Sequence, residues 1–392
     1  MPAQIWILCT VVDNFGDAGV CWRLARSLAV SGRFEPVLVI DDLATLAAIE
    51  PRLAGSLDGP DLHPNTPIDG VRIIERASIE HVPHAPLPTV IVSAFGCEPP
   101  AWLRAGLEGG PCQPLWLQLE YLSAEDWIEN CHGLVSVKPA DAAREHFLYP
   151  GFTRQSAGLL REQGLFERRD AFRAAGGPAA LLERLGASPA PGQRVMSLFC
   201  YASAPLEPWF HALAAGASPT LVCLAGGAGS NAVSHTLGRS LAIGKRARLG
   251  QLEIVRLPML DQDTYDQLLW SCAFNAVRGE DSWVRAHWAG VPFIWQAYPQ
   301  ADSAHLVKLD AFLKKMRQDL PESNPEQQAI DDLMRAWNGS PAHAIGAAWQ
   351  AFDARLGASD ALAARYRSWT TSLAAQTSLA ERLTQYCLDR LE

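Results

Sequence analysis

Two short stretches hold side chains whose types and spacing could do chemistry. One is Asp13-Asn14-Phe15-Gly16-Asp17-Ala18-Gly19, which carries two carboxylates and two glycines. Paired carboxylates attract a cation, orient it and can take a proton while a bond forms. Gly16 and Gly19 let a ligand approach the loop through Asn14 and Phe15, backbone first. The stretch is not G-x-G-x-x-G and holds no P-loop lysine. A plainer reading gives Asp13 a turn and Asp17 a helix N-cap. The other stretch is Arg278-Gly279-Glu280-Asp281-Ser282. Gly279 permits a tight turn, and Asp281 or Ser282 can cap a helix carrying Trp283, Val284 and Trp288. A strand that runs straight into a capped helix offers free N–H groups and a positive dipole end to an anion. Arg278, at the lip, has the planar fork that grips a phosphate oxygen. Taken alone, this stretch is an ordinary βα junction with a surface arginine. A third candidate, Asp261-Gln262-Asp263, matches the D-x-D of metal-dependent sugar transferases. It precedes a helix, where acids suit capping and the dipole, so no metal site is expected there.

These residues need strands and helices to hold them. Ile5–Val12 reads as a strong strand, followed by a helix over Gly19–Val30. Two acids at the C-terminal tip of a strand sit in the usual ligand crevice of an open α/β sheet. Val37–Ile40, Val71–Ile74, Thr89–Phe95, Leu115–Leu119 and Gly133–Val137 continue as strands. Asp42–Glu50 is helical, and His81–Pro88 is a proline-rich loop. Residues 163–193, rich in Ala, Gly, Arg and Pro, mark a domain boundary. The alternation restarts with Val195–Cys200, Leu221–Leu224, Leu252–Leu257, a short buried strand from Phe274 and Pro292–Gln296. Gly226–Ser230 is either a phosphate approach or a plain turn. A helix holding Tyr265 and Leu269 follows Gln262, and the remainder is helical by pattern. Strands alternating with helices imply mostly parallel sheets covered on both faces.

Composition excludes several classes. At 392 residues, 48% apolar and 19% charged, the chain is globular and long enough for two domains. A net charge of −9 argues against nucleic acid or an anionic membrane as partner. No uncharged apolar run is long enough to span a bilayer, and the N-terminus lacks the basic region of a signal peptide. Nine cysteines without a C-x-x-C pair suggest buried thiols of a cytoplasmic protein, with no metal-ligand spacing to the ten histidines.

Two successive α/β sheets with ligand signals at the strand tips suggest a GT-B glycosyltransferase architecture. Five segments narrow this. They are DNFGDAGVCWRLARSLA at Asp13–Ala29, LEYLSAEDWIE at Leu119–Glu129, PGF at Pro150–Phe152, GLLRE at Gly158–Glu162 and RGEDSWVRAHWAG at Arg278–Gly290. Together they resemble the EarP family, whose members transfer rhamnose from dTDP-β-L-rhamnose to an arginine of translation elongation factor P, with inversion. The resemblance runs from Asp13 to about Gln296. Met259 stands where the family pattern has a phenylalanine, and Ser93 and Ala157 also depart from it.

The resemblance implies two Rossmann-like domains facing across a central cleft. Residues 1–162 form the acceptor domain. Residues 163–392 form a linker and the nucleotide-sugar domain, with the last helices packing back on the N-terminal domain. Carried over residue by residue, Phe199, Tyr201, Gln262, Tyr265, Arg278, Asp281 and Ser282 fall at donor positions. Aromatic rings suit a thymine, Gln262 a pyrimidine edge, and Arg278 with the helix start a diphosphate whose charge grows during transfer. Glu280 either orients Arg278 or holds a sugar hydroxyl. Asp13 and Asp17 belong to the acceptor side, where the resemblance makes Asp17 the base and Asp13 its support. Neither a metal nor a cofactor is implied beyond dTDP-L-rhamnose itself. Elongation factor P is the implied protein partner, and the cytoplasm the implied location. Two rivals stay open: a GT-B enzyme with another nucleotide sugar and a small-molecule acceptor, and a non-catalytic module that binds elongation factor P or a nucleotide.

Overall fold

The computed structural model describes residues 2–53, 67–80, 87–107, 113–137, 143–227, 229–300, 303–318, 320–339 and 342–391. Of the loop expected over 81–88, residues 81–86 lie outside the described residues. The chain divides into two compact units. The first is Met1–Gln163 with Leu373–Glu392, and the second is Gly164–Ser372.

Apolar residues on both faces of each strand decide the first sheet. β1 (Ala3–Cys9) turns Ile5, Ile7 and Cys9 into one apolar layer and Trp6 and Leu8 into the other. β2 (Phe34–Ile40), β3 (Arg72–Glu75), β4 (Val90–Ala94), β5 (Leu115–Leu119), β6 (Val135–Val137) and β7 (Arg144–Leu148) follow. Their order is β3-β2-β1-β4-β5-β7-β6, parallel except for the β6–β7 pair. The helix Phe15–Val30 covers one face with Cys21, Leu24, Ala25 and Leu28. Leu379, Ala380, Leu383 and Cys387 of the last helix, Leu379–Leu391, join the same layer.

The second sheet holds β8 (Arg194–Leu198), β9 (Thr220–Leu224), β10 (Arg246–Leu249), β11 (Leu252–Arg256), β12 (Phe274–Arg278) and β13 (Phe293–Gln296). Its order is β10-β11-β9-β8-β12-β13, with only β10 antiparallel to its neighbour. In such sheets ligands bind beyond the strand ends where the order reverses. Those points are β1/β4 in the first unit and β8/β12 in the second. The first lies beside the Asp13–Asp17 loop, and the second lies between Phe199–Tyr201 and Arg278–Ser282.

Several boundaries differ from expectation for local reasons. β1 stops at Cys9 instead of Val12, because Val11 donates its N–H to Asp41 Oδ1 at 2.9 Å. The first helix starts at Phe15, four residues before Gly19. β7 and β10 lie outside the strands that the pattern predicts; their sequences, REHFL and RARL, set charged residues among the apolar ones and hide the alternation. Residues 163–193 hold the helices Leu165–Ala174 and Gly177–Arg184, and Leu181 and Leu182 belong to a core of the second unit.

The PGF and GLLRE motifs seat the C-terminal segment in the first unit. Gly158 has φ +76°, and a Cβ there would lie 2.5 Å from the Thr377 carbonyl oxygen. Leu379 donates its N–H to Leu159 O at 2.9 Å. Arg161 donates to Ala374 O at 2.6 Å and to Gln376 O at 3.2 Å, and Gln376 in turn donates to Phe152 O.

Candidate donor and acceptor sites

In the first unit, the acids follow directly from β1. Asp17 is 3% exposed and lies within the first turn of its helix, so it is not the N-cap. Asn14 occupies that position, with φ 42° and no side-chain capping bond. Asp17 Oδ2 instead accepts the N–H groups of Val12 and Asp13, each at 2.8 Å. Burial raises its pKa above the usual 3.8, the two N–H bonds oppose that, and the charge of Asp41 adds to it. The last acid stands at the end of the neighbouring strand β2. Gly16 N–H closes the turn on Asp13 O at 2.8 Å. A Cβ at Gly16 would sit 3.1 Å from Asp13 Oδ2, so glycine leaves that carboxylate its room. Phe15 packs against the core, Asn14 is exposed, and Gly19 is buried inside the helix.

In the second unit the structure draws five of the expected residues together. The Arg278 side chain, 4% exposed, lies with its guanidinium 4.4 Å from the Phe199 ring centre and 4.3 Å from that of Tyr201. Cation and rings attract through the ring quadrupole, more strongly when desolvated. Phe199 also meets Tyr265 edge to face, 5.8 Å between centres. The Tyr265 hydroxyl is enclosed, and burial pushes its pKa far up, with Ser282 opposing. Ser282 does not cap the helix Asp281–Ala289. Its Oγ accepts from Arg278 N–H at 3.0 Å and donates to Arg278 O, which closes the turn on itself. Glu280 is the N-cap residue, without a side-chain cap, and Asp281 is the first helical residue. Gln262, buried, opens the helix Gln262–Ser271 that carries Tyr265.

Asp261 caps that helix. Its carboxylate accepts from Thr264 N–H at 2.8 Å and from Thr264 Oγ1 at 2.7 Å. Among the described residues no group of three or more His, Cys, Asp or Glu could hold a metal ion. His287, wholly enclosed, has its pKa pushed down to about 3 by burial and accepts from Trp369 Nε1, as a neutral core residue does. Met259 is 41% exposed, and its Sδ lies 3.3 Å from where a Cβ at Gly226 would stand. A Cβ at Gly229 would come within 2.7 Å of Cys200 O. The glycine cluster thus permits close packing of the Gly229–Thr236 helix start against the end of β8.

Residues that the sequence left unmarked position this constellation. Gln296 Oε1 accepts Tyr201 N–H at 2.8 Å, Gln296 Nε2 donates to Ser203 Oγ at 3.2 Å, and Gln296 O accepts Gly279 N–H at 3.1 Å. Asn338 holds the backbone on either side, accepting from Ala297 N–H and donating to Trp295 O. Trp295 donates to Gly279 O at 2.7 Å and stacks on Trp283 at 3.6 Å. A cavity of about 380 Å³ lies beside Gln296, lined also by Ser203, His305 and Asn338. In the sequence, Gln296 is merely the last residue of a strand.

Comparison with known proteins agrees along the whole chain. The family model described as elongation factor P rhamnosyltransferase EarP matches residues 5–388. A protein-arginine rhamnosyltransferase of Pseudomonas putida is 41% identical over 392 residues, covering 98% of this chain and 99% of the relative. That of Pseudomonas aeruginosa is 38% identical over 389 residues, with 98% and 99% covered. A solved structure concerning EarP-mediated arginine glycosylation of elongation factor P is 31% identical, with a TM-score of 0.67 and 99% of each chain covered. Spinosyn rhamnosyltransferase SpnG, 13% identical with a TM-score of 0.52 and 99% and 100% covered, shares the fold.

Proposed function

The chain belongs to the EarP family of elongation factor P rhamnosyltransferases, and we propose that it transfers L-rhamnose from dTDP-β-L-rhamnose to an arginine side chain of translation elongation factor P, with inversion. The observation that carries this reading is the family match over residues 5–388, which takes in the Asp13–Asp17 loop and the Arg278–Ser282 turn alike. Arg278 takes up the charge that grows on the diphosphate as the glycosidic bond breaks, aided by the N–H groups that open the Asp281–Ala289 helix. Phe199 and Tyr201 hold its guanidinium through cation–π contact. The edge-to-face pair of Phe199 and Tyr265 offers the thymine a flat apolar wall, and Gln262 offers its amide to the base edge. Glu280 is assigned to sugar hydroxyls, since a carboxylate pressed on a diphosphate would oppose binding.

An arginine guanidinium keeps its proton in water near neutral pH. Asp13 and Asp17 attract it and fix its plane. The nitrogen then attacks the anomeric carbon from the face opposite the leaving diphosphate, and Asp17 accepts the proton as the C–N bond forms. Asp261 already serves as a helix cap, and Arg278 supplies the positive charge, so transfer needs no divalent metal and no further cofactor. Because the proposed acceptor is a translation factor, we assign the reaction to the cytoplasm. Among the described residues no helix is long and apolar enough to cross a membrane. Intact-mass analysis of elongation factor P incubated with this protein and dTDP-rhamnose in EDTA tests the scheme. One added rhamnosyl group is expected. An unchanged mass with or without metal overturns the activity, and a gain only when magnesium or manganese is restored overturns the metal-free mechanism.

A further inference from the structure

The segment Leu119–Glu129 has no part in the scheme above, yet it meets β4 at the switch point of the first sheet. β4 ends in a tight turn closed by Cys97 N–H on Ala94 O at 3.0 Å. The two central residues, Phe95 and Gly96, have φ of +57° and +76°. That left-handed pair suits Asn-Gly, and a bulky aromatic is held there against its own preference. Backbone strain of this kind collects at functional sites. Phe95 N–H donates to Leu119 O at 2.8 Å, which joins the ends of β4 and β5. The Phe95 ring then stacks on Tyr121, with centres 4.5 Å apart and planes 16° apart. Tyr121 keeps 38% of its surface exposed. Next to Tyr121 in the chain, Glu120 has its carboxyl pKa raised by burial. Thr10 Oγ1 donates to Cys97 Sγ at 3.3 Å and ties this turn to the end of β1, just before Asp13.

We infer that Phe95 and Tyr121 form an aromatic platform for the acceptor arginine, with the guanidinium lying flat on the outward face of Tyr121. The inference rests on the protein-arginine transfer proposed above. Carboxylates hydrogen-bond a guanidinium along its edge, in plane, and leave its two faces bare. An aromatic ring binds a face, through cation–π attraction and stacking. Asp13 and Asp17 with Tyr121 therefore divide one side chain between them without competing. The strained turn at Phe95 is what sets the second ring beneath Tyr121 and fixes its tilt. A lysine ammonium is a compact, strongly hydrated charge and gains less from a flat surface, so the platform favours arginine over lysine.

The test measures kcat/KM for elongation factor P at saturating dTDP-rhamnose, alongside dTDP affinity by calorimetry, in the full-length protein. Tyr121→Ala is expected to lower kcat/KM for the acceptor about tenfold, between the scales of an exposed and a fully desolvated cation–π contact, mainly through KM. Affinity for dTDP should stay within about twofold of wild type. Tyr121→Phe, which keeps the ring, should retain most of the activity. Phe95→Leu, which keeps apolar bulk without the lower ring, should fall between the two. Tyr121→Ala with an unchanged acceptor KM overturns the platform. So does Tyr121→Phe as impaired as Tyr121→Ala, which would assign the effect to the hydroxyl. Failure of the wild-type protein to modify elongation factor P would instead sink the transfer reading itself.

Discussion

Asp17 is a carboxylate under opposed influences. Burial raises its proton affinity, the N–H groups of Val12 and Asp13 lower it, and Asp41 raises it again; the balance lies above the ordinary 3.8. That sign has different consequences for stability and for rate. An acid with a raised folded pKa contributes stability that is complete below the unfolded pKa and is lost as pH rises through the folded one. Ionised Asp17 therefore works against folding at neutral pH. A general base must be ionised, so turnover is complete above the folded pKa and falls as pH drops through it. Asp17→Asn keeps an oxygen for both N–H donors and removes the charge. The variant is expected to melt no lower than wild type at neutral pH and to bind dTDP-rhamnose normally, while turnover falls by roughly 10²–10⁴. Melting curves, calorimetry and single-turnover rates on one preparation check this, and a near-normal rate would remove Asp17 from the chemistry. A helix N-cap would give the reverse pattern, a loss of about 1 kcal/mol of stability with activity kept. Asp17 was legible as an acid beside a helix start. Its orientation was not, because the chain leaves β1 at Cys9 and turns back over the carboxylate.

At the level of elements, the second site depends on how two helices are held. Gln262–Ser271 brings Tyr265 and Asp281–Ala289 brings Ser282, and the two are joined by a buried ion pair. Arg285 donates from Nε to Asp266 Oδ1 at 2.9 Å and from its second amino group to Oδ2 at 2.5 Å, with both side chains under 5% exposed. Losing one partner leaves the other charge buried, at about 3–5 kcal/mol. Asp266→Ala is therefore expected to lower the melting temperature and dTDP affinity together, and Asp266→Leu with Arg285→Met to recover most of the stability. Thermal melts of the single and double variants decide it; a single variant no less stable than the double would show that the pair does not hold these helices. Neither residue stood out in the sequence, because the partners lie on different helices and nothing local connects them. Strand ends were more legible. Phe274–Arg278 is apolar apart from Asn275 and Arg278, and the structure gives Asn275 its reason: it accepts from Ser197 Oγ on the neighbouring strand and donates to Leu269 O of the helix Gln262–Ser271. The capping of the next helix differs from expectation, since Ser282 turns back to Arg278, a choice that depends on the turn geometry at Gly279 and not on residue type.

For the molecule as a whole, chain order and spatial order part company once. The second unit is one continuous run, Gly164–Ser372, whereas the first is closed by residues from the far end of the chain. Alternating strands and helices revealed both sheets, because buried parallel strands write apolar runs that need no knowledge of distant partners. The destination of the last helix was written less plainly. Its apolar stripe, Leu379, Leu383 and Cys387, fits any uncovered apolar face, and the reciprocal signal lies in Gly158, Leu159 and Arg161, which read as a motif without an evident use. In the structure Gly158 makes room for Thr377, Leu159 accepts from Leu379 N–H, and Arg161 holds the carbonyls of Ala374 and Gln376. Removing residues 373–392 would uncover the layer formed by Leu24, Leu28 and the inner face of β1. Leu379 and Leu383 are each 2% exposed or less, and burying such a side chain is worth about 1.5–3 kcal/mol. Two of them, with the bonds to Leu159 and Arg161, amount to a large share of the roughly 5–15 kcal/mol that stabilises an ordinary domain. The truncated chain is therefore expected to lose the first unit's cooperative melting transition and all transfer to elongation factor P. Phe199, Tyr201, Gln262, Tyr265, Arg278 and Ser282 all lie within Gly164–Ser372, so dTDP binding should survive. Calorimetric melting and dTDP titration of the truncated protein measure the two units separately. Retained transfer, or loss of dTDP binding along with it, would show that the last helix does not serve the first unit in this way.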